Sequence, residues 1–442
     1  MYENIIGQPI TYRLQQDIIT NTFPPSILFT GPAESGKGTA ALETARTLCC
    51  DKTNALWKCE CNSCFYHRNL SSPDLLILGP RHFSQEISAA QNAFLKNTSL
   101  DSTKMFFFRA VRKFLMRFSP ILWSDDPKIS KINRQLEIIN DLIDEFQSSI
   151  KAAGNTAEDD NTKISKLTGK ILNESLKLES EYIAESIPAA HIRNSSAWLH
   201  LAPAGKKKVL IIENADKMQD AARNSLLKIL EEPPDTSNII LTSKKPEGLL
   251  PTILSRLRQY RFIQRKTEHE LEIIRRVFRE EQFTGAQLQK NDKSLISLYL
   301  DEFLSVSEDA LYSAACFFWL VLADMQKKED FKSLSKYFMP IADKSGFDLN
   351  IRSSKDLCSS IMEKTGKFEA RGVFSKYLEM LCITLKEAVD VRKNTNNFIM
   401  LNEILIKHSE NARIAVEIYK QQTAVVLERF CYELVQDLNR YE

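Results

Sequence analysis

The chain has 442 residues, which is long enough for two or three domains with cores of their own. Its 59 basic and 57 acidic side chains nearly cancel, so the composition excludes a globally polycationic chain, and any contact with nucleic acid requires a local basic patch. The sequence has no apolar run long enough to cross a membrane and no secretion signal after Met1, so we expect a cytoplasmic protein.

A phosphate-binding loop is predicted close to the N-terminus. Residues 27–30 form a short apolar run typical of a buried strand, and the sequence GPAESGKGT follows at residues 31–39, ahead of a helical pattern. In such a loop, backbone N–H groups surround phosphate groups and the lysine reaches the terminal phosphates of ATP or ADP. A glycine turn that binds no ligand is the alternative. The predicted nucleotide contacts are Gly31, Ser35, Gly36, Lys37, Gly38 and Thr39.

The loop departs from the usual pattern directly after its lysine. That position normally carries Ser or Thr, whose hydroxyl binds Mg²⁺, but Gly38 occupies it in this chain. Thr39 comes one residue later, about 100° further round the helix, and is a poor substitute. We therefore doubt that Mg²⁺ binds, and we expect inefficient hydrolysis.

A cysteine-rich segment follows the predicted helix. Five of the nine cysteines lie between residues 49 and 64, and such crowding in a cytoplasmic chain suggests a metal rather than disulfides. A structural zinc ion takes four thiolates held by short turns. We assign Cys50, Cys59, Cys61 and Cys64 as ligands, with Cys49 as the alternative to Cys50 and His67 as a possible replacement ligand. A cluster of free thiols is the competing interpretation.

A βαβ unit is predicted between residues 209 and 262. Residues 209–212 and 239–241 are apolar runs too short for helices, as expected of parallel strands that are covered on both faces. Apolar residues recur at helical spacing between them, and Pro233 and Pro234 end that helix. The first strand leads into Glu213, where a nucleotide-binding α/β protein would place a carboxylate.

The α/β pattern is interrupted between residues 84 and 186, where we predict a long helical insertion. Residues 105–123 carry Arg109, Arg112, Lys113 and Arg117 on one side of a helix and aromatic residues on another. A basic amphipathic helix of this kind can lie on a membrane, contact a nucleic-acid backbone or pack against its own chain. Packing is the favoured interpretation.

These motifs together resemble the bacterial DNA polymerase III clamp loader. The resemblance rests on the phosphate loop, the cysteine segment and four short stretches: IGQ at 6–8, VLIIENADKM at 209–218, NSLLKILEEPP at 224–234 and PTILSR at 251–256. It implies an α/β AAA+ module with a parallel sheet, a small helical lid and an all-α collar domain. The implied limits are 1–83 and 187–262 for the AAA+ module, 84–186 for the insertion, 263–308 for the lid and 309–442 for the collar.

The resemblance also implies a function and partners. Such a chain is one subunit of a hetero-pentamer that opens the sliding clamp and places it on primer-template DNA. The implied nucleotide contacts include Glu213 and Thr242. At the end of the strand 209–212, the ATP-hydrolysing subunits carry an aspartate and then a glutamate, where this chain has Glu213 and Asn214. Their lid helix carries an arginine that senses the terminal phosphate, where this chain has Glu308. With Gly38, these changes favour the delta-prime type, with a gamma or tau type as the second choice.

Arg256 is the predicted catalytic residue. In a ring of subunits, an arginine beside a silent site can reach the ATP of a neighbour and stabilise charge in that neighbour's transition state. The alternative is that Arg256 pairs with a carboxylate of its own chain. Two other functions stay open at this point: an active gamma/tau-type ATPase and, less favoured, an unrelated phosphate-loop NTPase.

Overall fold

The structure is a computed structural model that divides into two compact units, residues 1–300 and residues 301–442. It describes the whole chain except residues 53–54, 153–157, 185, 284–293, 304–305, 307, 327–335, 342–353, 366–370, 391–395, 418, 420 and 441–442. The predicted limits of the insertion, the lid and the collar are finer than this division, and they stay predictions.

The first unit is built on a five-stranded sheet in the order β2-β3-β4-β1-β5. All neighbouring strands pair in parallel. Their short apolar runs are fully buried, except in the edge strand β5, so the predicted α/β class with a parallel sheet is confirmed. The strands are β1 (Ser26–Thr30), β2 (Leu75–Leu78), β3 (Lys208–Ile212), β4 (Ser237–Ser243) and β5 (Arg258–Arg261).

Helices cover both faces of this sheet. The helices up to the end of the first unit are α1 (Ile10–Ile19), α2 (Lys37–Cys49), α3 (Asn62–Arg68), α4 (Ser84–Lys96), α5 (Asp101–Leu115), α6 (Pro120–Trp123), α7 (Ile129–Ala152), α8 (Glu158–Tyr182), α9 (Ala189–Leu199), α10 (Asp220–Glu231), α11 (Pro251–Leu254), α12 (Thr267–Val277) and α13 (Leu295–Asp301). Short 3-10 turns lie at Met116–Phe118, Ala215–Lys217 and Pro246–Gly248.

Alternating strand residues divide the core into two layers. On one face, Leu28, Leu210 and Ile239 share a cluster with α4, α5 and α7 to α10. On the other face, Phe29 and Ile211 pack with α1, α2 and the cysteine segment. Because successive strand residues point to opposite sides, one strand supplies both layers.

The predicted helical segment 84–186 is part of the first core layer. The rings of Phe94, Phe107 and Phe146 come from α4, α5 and α7, and their centroids lie 5.5 to 6.3 Å apart. Such contacts add to the burial of these large side chains. The segment therefore lies against the sheet, and it also contacts the end of β3, where Arg117 donates to Glu213.

The second unit is helical throughout its described part. Its helices are α14 (Glu308–Gln326), α15 (Ser354–Lys364), α16 (Arg371–Asp390), α17 (Asn396–Glu417) and α18 (Thr423–Arg440). They share one apolar core around Trp319, whose indole N–H donates to the Leu381 carbonyl at 3.1 Å. Within the described residues, every helix is too short or too polar to span a bilayer.

Candidate functional site

The predicted phosphate loop, residues 31–39, connects β1 to α2 at the edge where the parallel strands end. Gly36 adopts a left-handed conformation, with φ of 90°, directly before α2 begins at Lys37. A side chain at this position would be strained and would also meet the guanidinium group of Arg265. The loop therefore has the local geometry of a strand-to-helix turn whose backbone N–H groups point toward an anion.

Lys37 lies at the centre of the loop and is buried. Its ammonium group donates to the Gly31 carbonyl at 2.7 Å, to the Pro32 carbonyl and to the Ser35 hydroxyl at 3.2 Å. Burial, together with the nearby charge of Lys244, lowers the pKa of Lys37 to about 8. A helix N-terminus with crowded cations is chemically suited to bind phosphate.

Gly38 lies against the end of β3. A Cβ atom added to it would meet the Glu213 carboxylate oxygen at 2.7 Å and an Arg81 nitrogen at 3.2 Å. Thr39 is exposed on α2. Residue 38 thus has no side chain, and the Glu213 and Arg81 side chains occupy the space that a side chain there would need.

Glu213 is held by two arginines. It accepts from Arg81 at 3.1 Å through one oxygen and from Arg117 through the other. Burial alone would raise the pKa of Glu213, but the charges of Arg117, Arg81 and Lys113 outweigh it and lower the pKa to about 2. The carboxylate is therefore ionised and already neutralised by the protein.

These residues belong to a larger set that we call the charge cluster: Arg81, Glu86, Lys113, Arg117 and Glu213. Arg81 also donates to Glu86 at 2.6 Å, and Glu86 accepts from Lys113 as well. The two guanidinium groups both lie over the ring of Phe83, at 5.0 and 5.2 Å from its centroid. Arg81 is not among the predicted site residues, and Arg117 is predicted only as part of the basic helix, whose pattern is the one sequence signal for this contact.

The residues after Glu213 have structural partners. Asn214 has a left-handed backbone, with φ of 52°, and its side-chain amide donates to the Pro80 carbonyl at 2.9 Å. Its backbone N–H donates to the Thr242 hydroxyl at 3.3 Å, which links β3 to β4. Glu213, Asn214 and Thr242 therefore meet beside the phosphate loop, as the predicted nucleotide site requires.

The basic helix packs against its own chain. Arg109 donates to the Arg68 carbonyl, and Arg112 donates to the Asn69 carbonyl at 3.0 Å. With Lys113 and Arg117 in the charge cluster, all four cations of the predicted basic face have partners inside the first unit. The contacts agree with the packing interpretation rather than with a membrane-bound or nucleic-acid-bound helix.

A second site is formed by four thiols between α2 and α3. The Sγ atoms of Cys50, Cys59, Cys61 and Cys64 all lie within 4.8 Å of one another. Cys50 is 3.6 Å from Cys59 and 3.9 Å from Cys61, close to the roughly 3.8 Å edge of a tetrahedron with zinc–sulfur bonds of about 2.3 Å. The four thiols fit a structural zinc ion, and they include Cys50 rather than Cys49.

Neighbouring groups orient this cysteine cluster. Cys49 points elsewhere, because its thiol donates to the Lys207 carbonyl at 3.2 Å. The backbone N–H of Cys64 donates to Cys61 Sγ at 3.4 Å, and Arg46 donates to Cys64 Sγ at 2.9 Å. His67 is buried on α3 and is not among the four. The N–H···S contacts are the outer-shell interactions that orient metal-binding thiolates.

Arg256 follows α11 on the surface of the first unit. Its guanidinium donates to Glu231 at 2.8 Å and to the Thr252 carbonyl at 2.8 Å. Its side chain is 34% exposed and that of Glu231 is 52% exposed. The isolated chain thus has the ion pair that was the alternative to the arginine-finger assignment. The predicted sensor position cannot be placed, because the side chain of Glu308 lies outside the described residues.

A parallel sheet with the predicted phosphate loop after β1, an acidic residue after β3 and a helical second unit fit an α/β AAA+ module with a helical C-terminal part. The family model described as DNA polymerase III, delta subunit, matches residues 7–115 and 134–266, more than half of the chain. The chain therefore belongs to this family and is a DNA polymerase III clamp-loader subunit of the delta-prime or gamma/tau type. Membership excludes the third function, an unrelated phosphate-loop NTPase.

Relatives of both types are found. The delta' subunit of DNA polymerase III from Pseudomonas aeruginosa is 39% identical over 80 residues, 18% of this chain and 24% of that protein. The delta' subunit from Buchnera aphidicola is 26% identical over 159 residues, 35% of this chain and 46% of that protein. The gamma/tau subunit from Mycobacterium bovis is 44% identical over 55 residues, 12% of this chain and 10% of that protein. The chain spans less than half the length of these relatives.

The cysteine cluster predicts a specific dependence of zinc content on sequence. Cys61→Ser should reduce bound zinc from about one per chain to near zero, because a structural site needs all four ligands. Cys49→Ala is the matched control, since this buried thiol donates to a carbonyl instead, and it should retain zinc. Elemental analysis of the purified chains measures both. Equal zinc content in the two variants would contradict the assignment.

The lowered pKa of Glu213 predicts a pH-dependent contribution to stability. Relative to Glu213→Gln, the wild-type chain should gain about 3 kcal/mol of unfolding free energy at pH 7, from the shift between 4.5 and about 2. For a lowered carboxyl pKa, this gain is complete above pH 4.5 and is lost as the pH falls toward 2. Denaturant unfolding at several pH values measures it, and exposed Glu137→Gln on α7 should show little difference.

Proposed function

We propose that this chain is a delta-prime-type subunit, which helps the clamp loader place the sliding clamp on primed DNA during replication without hydrolysing ATP efficiently itself. One observation carries the proposal: both polar residues at the end of β3 are already engaged by the protein. Glu213 is bonded to Arg117 and Arg81, and the Asn214 amide is bonded to the Pro80 carbonyl.

The groups at the end of β3 explain why efficient ATP hydrolysis by this chain is not expected. Efficient hydrolysis of the terminal phosphoanhydride bond of ATP needs a metal ion to neutralise charge and a residue that orients or deprotonates the attacking water. Asn214 cannot accept a proton, and its donor group is used on a backbone carbonyl. The neighbouring carboxylate has two arginine partners. The phosphate loop can therefore hold phosphates while the groups that complete a hydrolytic centre are missing from its surroundings.

Arg256 would act on the ATP of a neighbouring subunit. Its pair with Glu231 is exposed, and exposed ion pairs contribute about 0 to 1 kcal/mol, so a phosphate group in an adjacent subunit competes easily. Its planar donor group suits the charged oxygens of a transferring phosphoryl group. The partners that follow are the other clamp-loader subunits in a hetero-pentamer, the sliding clamp and primer-template DNA.

A gamma/tau-type motor ATPase is the second candidate. The observation in its favour is Lys37 at the start of α2, a position from which the lysine of a phosphate loop reaches bound phosphates. The two candidates differ in what the isolated chain does with ATP.

The isolated chain should show ATP turnover at or near background. The control is Lys37→Ala, which removes the phosphate-binding cation, so any activity that belongs to this site must disappear in that variant. Steady-state phosphate release from both chains is measured with and without primed DNA. Turnover in the wild-type chain that Lys37→Ala abolishes would support the gamma/tau type instead.

Arg256→Ala should reduce DNA-stimulated ATPase of a reconstituted clamp loader, by roughly tenfold or more at the neighbouring site, because arginine fingers contribute large factors to phosphoryl transfer. Glu231→Ala is the matched control: it breaks the same ion pair and leaves the guanidinium free, so it should leave turnover unchanged or raise it. If both variants reduce turnover equally, the ion pair itself is what matters and the finger assignment is wrong.

A further inference from the structure

We infer that Arg117 and Arg81 take the place of the divalent cation at the end of β3, so that this phosphate-loop site excludes magnesium. The inference rests on the proposed function, because it concerns the same site and gives a physical cause for its weak chemistry. It goes beyond the replacement of the water-activating glutamate by Asn214, since it concerns the metal ion rather than the attacking water.

The first observation is the occupation of Glu213. Each of its two oxygens accepts from a different guanidinium group, and its side chain is only 8% exposed. A hard cation such as Mg²⁺ needs carboxylate oxygens together with water in an octahedral arrangement. To bind Glu213, the ion would have to displace Arg117, whose side chain is 2% exposed, or Arg81, whose side chain is 34% exposed and also pairs with Glu86. Displacing Arg117 would leave a buried cation without its counter-charge, and displacing Arg81 would break a link of the charge cluster.

The second observation is the fit around Gly38, where the phosphate-loop pattern requires the other protein ligand of Mg²⁺. The Cβ atom of Ser or Thr would lie 2.7 Å from the Glu213 oxygen and 3.2 Å from the Arg81 nitrogen. Both distances are shorter than an ordinary van der Waals contact. Glu213 can therefore occupy its arginine-bound position because residue 38 lacks the side chain whose hydroxyl would bind Mg²⁺.

The third observation is the balance of charge. The charge cluster has three cations and two carboxylates, and Lys113 and Arg81 also share Glu86. Its positive charges already exceed its negative ones before any metal ion is added. A divalent cation beside Glu213 would meet Arg81 and Arg117 at close range in a partly buried setting, where repulsion between like charges is poorly screened.

The fourth observation is the source of Arg117. It lies in the 3-10 turn Met116–Phe118, which follows α5 in the helical segment. This turn falls between residues 115 and 134, outside the part of the chain that the family model matches. Its remaining nitrogens, Nε and Nη1, make no hydrogen bond within the described part of the chain, so Glu213 is the group that fixes this guanidinium. The helical segment thus supplies a fixed cation to the site.

Manganese binding tests the exclusion directly. The full zinc-loaded chain and Glu213→Gln are each titrated with Mn²⁺, alone and with ADP, and free Mn²⁺ is followed by electron paramagnetic resonance. We expect neither chain to bind Mn²⁺ beyond what ADP itself binds, because Glu213 is not available to a metal ion, and Mn²⁺ binding by both chains alike would also contradict the exclusion. A site in the wild-type chain that is weakened tenfold or more in Glu213→Gln would overturn the inference. ATP turnover by the isolated chain is a separate measurement, so failure of the proposed function is distinguishable.

Thermal unfolding of glycine variants tests whether Glu213 and Arg81 occupy the space beside residue 38. Gly38→Ala should lower the midpoint of thermal unfolding by several degrees, because its Cβ atom collides with Glu213 and Arg81. Gly169→Ala is the matched control in α8: no atom lies within 4 Å of the added Cβ, so the midpoint should stay or rise. In a Glu213→Ala background, the loss caused by Gly38→Ala should become smaller, because the shorter of the two contacts is removed. An unchanged midpoint for Gly38→Ala, or the same loss in both backgrounds, would overturn the inference.

Discussion

A buried, ionised carboxylate needs a positively charged partner, and this requirement at Glu213 determines which side chains surround the candidate site of the first unit. Removing one partner of a buried ion pair typically lowers the unfolding free energy by about 3 to 5 kcal/mol. The buried position of Glu213 therefore requires other parts of the chain to supply cations beside it. Arg81 arrives from the turn after β2, and Arg117 arrives from the helical segment. Gly38 leaves room for both. A fold that normally presents a free carboxylate to a metal ion here presents a carboxylate already neutralised by its own side chains.

The helical segment therefore has a function in the site as well as in the core. Its aromatic side joins the layer under the sheet, and its basic side turns toward backbone carbonyls and the charge cluster. Because Phe83 lies between the two guanidinium groups, apolar packing and ion pairing reinforce each other there. The proposed lack of efficient ATP hydrolysis would thus be connected to how the first unit is packed, and not only to individual substitutions in its motifs.

Local patterns in the sequence predict most of the fold, and contacts between distant residues explain what they miss. The strands at residues 27–30, 75–78 and 209–212 are short apolar runs, and the phosphate loop is a contiguous motif, so each is visible in one stretch. The pairing of Arg117 with Glu213 joins residues 96 positions apart, and helical periodicity says only that Arg117 is on a basic face. Likewise, only the backbone direction after α2 distinguishes Cys50 from Cys49 as a zinc ligand.

Helix α2 joins the two sites of the first unit through a single rigid element. It begins at Lys37 of the phosphate loop and ends at Cys49, beside the cysteine cluster, and thirteen residues of helix span about 20 Å. Arg46 near its C-terminal end donates to Cys64, and Lys206 ahead of β3 donates to the Cys50 carbonyl at 2.6 Å. Zinc held by the four thiols would therefore fix one end of the helix whose other end forms the predicted phosphate loop.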